Sequence, residues 1–163
     1  MYKLYVSSLL DKKLLNNLPP DVLAHVLKYK NEDDQIRSLT GYTLLNNNIK
    51  GPYKISFDGK PRIEGIFFNI SHDSDKACLV IGDDEIGVDI IKVRNLDNRL
   101  FEYMDIKDNL SDYQKCKIWA MKEAAIKYEG TSITKIKNID CSKYLFDIID
   151  EDDYIIAVCY GRG

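Results

Sequence analysis

The run Glu85–Ile91 (EIGVDII) carries one internal carboxylate, Asp89, among apolar neighbours. Side chains alternate along a strand, so Ile86, Val88 and Ile90 share one face, expected to meet a core. Asp89 shares the other face with Gly87 and Ile91. A carboxylate in such surroundings is costly to bury unless a cation meets it. The cation can be a side chain, as in a structural ion pair, or a metal. Further along, Trp119, Glu123 and Lys127 recur at i, i+4 and i+8, one stripe of a helix. Alone, that stripe reads as a packing aromatic beside a surface Glu–Lys pair. Taken with Asp89, it offers a second carboxylate for a divalent cation. It also offers an ammonium one turn on, placed to neutralise a phosphate.

Ser71 and His72 end a short apolar stretch and enter a polar turn. Adjacent strand side chains diverge, so the pair is not expected to act as nucleophile and base. The chain also lacks a Gly-x-Ser-x-Gly elbow. Hydroxyl and imidazole can each donate to phosphate oxygens without facing one another. A capped turn with a solvent-facing histidine is the other reading. Gly59-Lys60-Pro61 reads as a turn, and Arg37-Ser38 as part of a helix. His25, Lys28 and Lys30 gather near a helix C-terminus, where cations are favoured in any case.

The elements that must hold these groups follow from local signals. Residues 2–8 suit a strand. Pro19-Pro20-Asp21 opens a helix expected to run through Lys30, with Val22, Leu23, Val26 and Leu27 at helical spacing. Asn31 and the acidic residues 32–34 start a second helix, ending near Asn46–Asn48 and Gly51. Tyr53–Phe57 reads as a strand and Asp58–Pro61 as a tight turn. Three short strands follow at about 66–71, 76–81 and 85–91. Ser111 is the expected N-cap of a long helix through Tyr128, with Gly130 as its stop. Strands at 143–149 and 154–160 close the order around an acidic turn. The sequence thus predicts two similar α+β halves meeting near Gly82–Glu85.

With 163 residues, the chain fits one domain or two small packed halves, and 45% hydrophobic residues can fill a core. The net charge of −3 argues against a general nucleic-acid binder. No apolar run is long enough to predict a membrane span. Met1-Tyr2-Lys3-Leu4 lacks a long apolar core and a small-residue cleavage site, so no signal peptide is expected. Cys78, Cys116, Cys141 and Cys159 are widely spaced, and are expected as reduced thiols rather than a disulfide frame or zinc site. A monomer in the cytoplasm is expected.

In order, Gly59-Lys60-Pro61, Asn69-Ile70-Ser71-His72, Gly87-Val88-Asp89 and Trp119-x-x-Lys122-Glu123-Ala124-x-x-Lys127 resemble the motif set of the surfactin-type (Sfp-type) 4'-phosphopantetheinyl transferases. The resemblance runs from about Arg37 to Gly130. It implies an α+β fold of two pseudo-twofold-related subdomains, about 1–83 and 84–163, forming one domain with the active site between them. It also implies transfer of the phosphopantetheine arm of coenzyme A to a serine of an acyl- or peptidyl-carrier protein, with release of adenosine 3',5'-bisphosphate. Such chemistry serves polyketide, nonribosomal peptide or fatty acid biosynthesis. By the family pattern, Asp89 and Glu123 hold Mg2+ (or Mn2+). Lys127 steadies the phosphates, and Glu123 is the base, directly or through water. Ser71, His72, Arg37 and Ser38 hold the 3'-phosphate side, Lys60 and Pro61 line the adenine, and His25 falls at a basic phosphate position.

Two positions depart from the pattern. Ile91 stands where many relatives carry a further acid, and Asp73 where they often carry serine. Lys92, Arg94, Arg99 and Lys107 form a basic stretch that suits either an acidic carrier helix or a solvated face. A non-catalytic binder of coenzyme A or adenosine bisphosphate, with a degenerate metal site, is the alternative the departures motivate.

Overall fold

A computed structural model describes residues 1–51, 54–55, 60–106 and 109–163. The chain divides into two compact units, Met1–Asp83 and Asp84–Gly163.

In the first unit, β1 (Tyr2–Ser8) is followed by a 3-10 turn at Lys12–Asn17, then by α1 (Pro20–Val26) and α2 (Glu32–Asn48). Two-residue strands β2 (Lys54–Ile55) and β3 (Pro61–Arg62) pair with each other. The remaining strands, β4 (Phe67–Asp73) and β5 (Lys76–Gly82), join β1 in an antiparallel sheet of order β1-β5-β4. Asn31 caps α2, its side chain accepting from the Asp33 N–H. The helix packs on the sheet through Leu39, Tyr42 and Leu45, joined by Val22, Val26 and Leu79. Gly41 permits this approach, since a Cβ there would stand 2.7 Å from Ile70 Cγ2.

The first helix stops at Val26, short of the expected Lys30. The N–H groups of Lys28 and Tyr29 bond three residues back, to the His25 and Val26 carbonyls. That tightening ends the α-helix before Asn31 opens the next one. Of the strand expected at Tyr53–Phe57 and the turn at Asp58–Pro61, only Lys54, Ile55, Lys60 and Pro61 lie among the described residues.

In the second unit, β6 (Gly87–Lys92) is followed by α3 (Asn98–Tyr103) and α4 (Asp112–Tyr128). Short 3-10 turns at Ile133–Asn138 and Cys141–Lys143 lead to β7 (Tyr144–Glu151) and β8 (Tyr154–Arg162). The antiparallel sheet has the order β6-β8-β7. A full capping box starts α4. Ser111 accepts from the Gln114 N–H while the Gln114 side chain accepts from the Ser111 N–H. Just beyond its C-terminus, Gly130 takes a positive φ of 62°.

The core of this unit joins Ala120, Ala124 and Ala125 of α4 to Ile91, Ile155, Ala157 and Cys159 of the sheet. Small residues let the helix lie close to the strands. Gly87 is the extreme case, because a Cβ there would meet Ala124 O at 2.1 Å and Tyr128 N at 2.5 Å.

Ile86, Val88 and Ile90 are buried as expected, and the opposite face of β6 is covered too. Gly87, Asp89 and Ile91 form the face turned to α4 and to this core. Val88 and Ile90 stand at 0% and 2% exposure. With both faces covered, alternation alone does not tell which one meets the helix.

All four cysteines are free thiols, and Cys78, Cys116 and Cys159 are fully buried. Burial pushes the Cys159 thiol up to about 12. A disulfide reagent such as DTNB should therefore react with no more than one thiol of the native protein, Cys141. In denaturant it should titrate all four. Prompt reaction of two or more native thiols would contradict this packing. No helix among the described residues is long and apolar enough to cross a membrane.

Candidate active site

The second unit brings together the strand carboxylate and the helical stripe. Lys127 Nζ donates to Asp89 Oδ1 at 2.8 Å and to the Val88 carbonyl at 3.0 Å. Both side chains are largely withdrawn from solvent, with 19% of Lys127 and 10% of Asp89 exposed. One turn back along α4, Glu123 has its pKa raised, first by burial and next by the negative charge of Asp89. The Lys127 ammonium partly offsets this. Lys127 thus bridges α4 to Asp89 on β6, with Glu123 one turn back on the same helix. Trp119, on the same stripe, packs against the unit's apolar core, a structural part.

The chemistry of this set suits a divalent cation. Two carboxylates share a half-buried place, and a positive charge, that of Lys127, already stands at one of them. Oxygen ligands of this kind are those magnesium takes, with waters and substrate phosphates completing its octahedron. Ile91 does not add a ligand. It is 3% exposed and belongs to the core. Among the described residues, no group of three or more His, Cys, Asp or Glu side chains gathers in metal-holding fashion.

The first unit carries the other predicted residues. Ser71 is buried on β4, 5% exposed, and His72 beside it is exposed, so the two side chains diverge as alternation requires. His72 shares its face with Ile70, which meets α2 at Gly41. One turn back along α2 is Arg37. Its Nε donates to the Ser74 carbonyl at 3.0 Å, and Nη1 donates to Asp34 at 2.8 Å. The guanidinium is thereby tied to the turn that follows Ser71-His72. Ser38 is buried in α2.

His25 packs edge-on against Tyr29 and Tyr42. Burial and Lys28 both lower its pKa, favouring the neutral ring. Lys60 is exposed and precedes the β3 residue Pro61, while Gly59 lies outside the described residues.

The basic stretch after β6 is engaged in local pairs. Lys92 meets Asp153 at 3.2 Å and lies over the Tyr154 ring. Arg99 pairs with Asp97, and Arg94 reaches the Lys92 carbonyl. Lys107 lies outside the described residues.

One member of the helical motif has a place its charge did not foretell. Lys122 is 7% exposed and donates to the Ile136 and Ile139 carbonyls. Burial lowers its pKa, while Cys141 and Asp140 act in the opposite sense. The ammonium bonds two carbonyls at the end of the 3-10 turn, of which that of Ile136 also accepts from the Ile139 N–H, and so binds that segment to α4. A signal existed in the sequence. Ile118 and Ile126 flank Lys122 at i−4 and i+4, so the lysine interrupts an apolar stripe.

Comparisons with known proteins agree with the motif order. The 4'-phosphopantetheinyl transferase HetI of Nostoc sp. is 30% identical over 156 residues, which are 78% of this chain and 65% of that protein. The 4'-phosphopantetheinyl transferase Sfp of Bacillus subtilis is 26% identical over 147 residues, 76% of this chain and 65% of that protein. The 4'-phosphopantetheinyl transferase psf-1 of Bacillus pumilus is 29% identical over 123 residues, 62% of this chain and 53% of that protein. The chain therefore spans between about half and two thirds of the length of these relatives. No family model matches it. Similarity to several curated 4'-phosphopantetheinyl transferases over most of the chain, joined to the ordered motifs, supports its membership of the surfactin-type family.

Proposed function

We propose that this protein transfers the 4'-phosphopantetheine arm of coenzyme A to a serine of an apo acyl- or peptidyl-carrier protein. The observation that carries the reading is the Lys127–Asp89 ion pair between α4 and β6, with Glu123 one turn before Lys127 on the same helix. Under this reading, the serine Oγ forms a bond to the phosphorus that bears pantetheine. The bond from that phosphorus to the bridging pyrophosphate oxygen breaks, and adenosine 3',5'-bisphosphate leaves. Glu123, directly or through a water, takes the serine proton. Lys127 steadies the leaving phosphate. Asp89 and Glu123 would hold magnesium, which would supply neutralising charge for the pyrophosphate.

Ser71, His72, Arg37 and Ser38 take the 3'-phosphate side of the nucleotide, Lys60 and Pro61 the adenine, and His25 is a further phosphate neighbour. The anchoring of Arg37 to the turn after Ser71-His72 supports grouping those three. The units Met1–Asp83 and Asp84–Gly163 are, in this reading, the pseudo-twofold-related halves of one transferase domain. A similar order of strands and helices in each supports it.

The test is carrier mass. Incubation with coenzyme A, magnesium and a panel of apo carrier proteins should add one phosphopantetheine to at least one carrier. Asp89→Ala should lower that rate by about a hundredfold or more, since it removes a metal ligand and leaves Lys127 without this carboxylate. No mass gain across a broad panel would count decisively against the reading.

A second reading has its own support. Ile91 in the core leaves two carboxylates for the metal, which suits a coenzyme A binder without transfer. It expects coenzyme A affinity that calorimetry finds indifferent to magnesium.

A further inference from the structure

Asp89 is a buried carboxylate, paired in register with Ala157 on one side and facing α4 on the other. A charge so placed needs a partner, and Lys127 supplies it, its ammonium also bonded to the Val88 carbonyl. This ammonium occupies Oδ1, one of the two oxygens that Asp89 offers to a cation. A divalent cation arriving at that oxygen therefore meets a repulsion that is only weakly screened in a half-buried place. The lysine stem is flexible enough for the charge to move away.

We propose that Lys127 and a divalent cation exchange at Asp89, so that loading the cation releases the ammonium that then grips the substrate phosphate. This rests on the transferase reading above and adds a coupling to it. Without a phosphate, an incoming cation must drive a half-buried ammonium from two oxygen acceptors with no anion to receive it. With the pyrophosphate of coenzyme A present, the same displacement delivers the ammonium to an anion. Cation and nucleotide therefore promote each other's binding, and by linkage the factor is the same in both directions. Direct contact between the cation and the phosphates also favours joint binding. It does not, however, make removal of the lysine tighten the cation site when coenzyme A is absent. Exchange does, and that difference is the test.

The experiment measures Mn2+ affinity by electron paramagnetic resonance of the free ion. It uses the full chain, with and without coenzyme A and with no carrier present. Lys127→Ala and Lys127→Gln should bind Mn2+ alone roughly tenfold more tightly than the unaltered protein, within the usual range of coupling between sites. The gain that coenzyme A gives to Mn2+ binding should shrink by about the same factor. Lys127→Arg, which keeps a cation, should resemble the unaltered protein, and Asp89→Asn should lose the site. The glutamine variant retains donors for Asp89 and Val88, so it remains informative if the alanine variant folds poorly. If neither variant tightens Mn2+ binding while coenzyme A still supports it and the carrier is still labelled, the exchange is wrong and the transferase reading stands. If no form binds Mn2+ with or without coenzyme A, and no carrier is labelled, both fall.

Discussion

Glu123→Gln is expected to lower phosphopantetheine transfer by about a thousandfold or more, because it removes both a metal ligand and the proton acceptor. The same change should leave thermal stability unchanged or higher. The raised pKa of Glu123 means that the folded state disfavours its ionised form, through burial first and Asp89 second. The sign follows directly. A carboxyl with an elevated folded-state pKa contributes stability while protonated and loses it as pH rises through that pKa. At neutral pH the ionised group is therefore a destabilising one, and a neutral amide of the same shape removes that cost. Lost activity with retained or improved melting temperature is what a functional carboxylate predicts. A surface Glu–Lys pair predicts something else, a small effect on both. The measurement is a transfer time course with an accepted apo carrier, paired with a melting curve on the same preparation. Near-normal transfer would remove Glu123 from the chemistry.

Local chemistry made much of the scaffold legible before any coordinates. Asn31 and Ser111 cap their helices with side chains adjacent in sequence, so the starts of α2 and α4 could be read directly. The face of Asp89 could not be. Period-two alternation groups Gly87, Asp89 and Ile91, but both faces of β6 are buried, and the choice of face comes from α4, a distant segment. Lys122 shows the same limit for charge. A lysine is expected at the surface, and its carbonyl partners on the 133–139 segment, with Asp140 nearby, make the interior tolerable. The short α3 and the two-residue strands β2 and β3 carry too few residues for a periodic signal. Coupling of Asp89 to Glu123 and Lys127 was legible only through a motif. Spacing on α4 sets which helical residues share a stripe, and says nothing of the strand they face.

Gly87→Ala carries the second large effect. The glycine of Gly-x-Asp sits two residues before Asp89 on the face turned to α4, and an added Cβ would stand 2.1 Å from the Ala124 carbonyl oxygen and 2.5 Å from the Tyr128 nitrogen. Both obstacles are backbone atoms within a continuous helix, so no side-chain rotation relieves them. Either α4 moves off the sheet or β6 bends. The expected loss is about 3 kcal/mol or more, at the upper end for overpacking. For a chain of this length that is a fall in melting temperature of about 10 °C. Transfer should fall further than stability accounts for, because Ala124 adjoins Glu123 and Tyr128 adjoins Lys127 on the same helix. A displacement of the helix by even part of an ångström lengthens the 2.8 Å contact between Lys127 and Asp89. Gly41→Ala is the matched control in the first unit, where the obstacle at 2.7 Å is the Ile70 Cγ2 methyl, a side-chain rather than a backbone atom. That side chain can yield, so the control should cost less. Equal melting temperatures for Gly87→Ala and the unaltered protein would mean that α4 does not lie this close to β6, and the assembly of Asp89 with Glu123 and Lys127 would lose its structural basis.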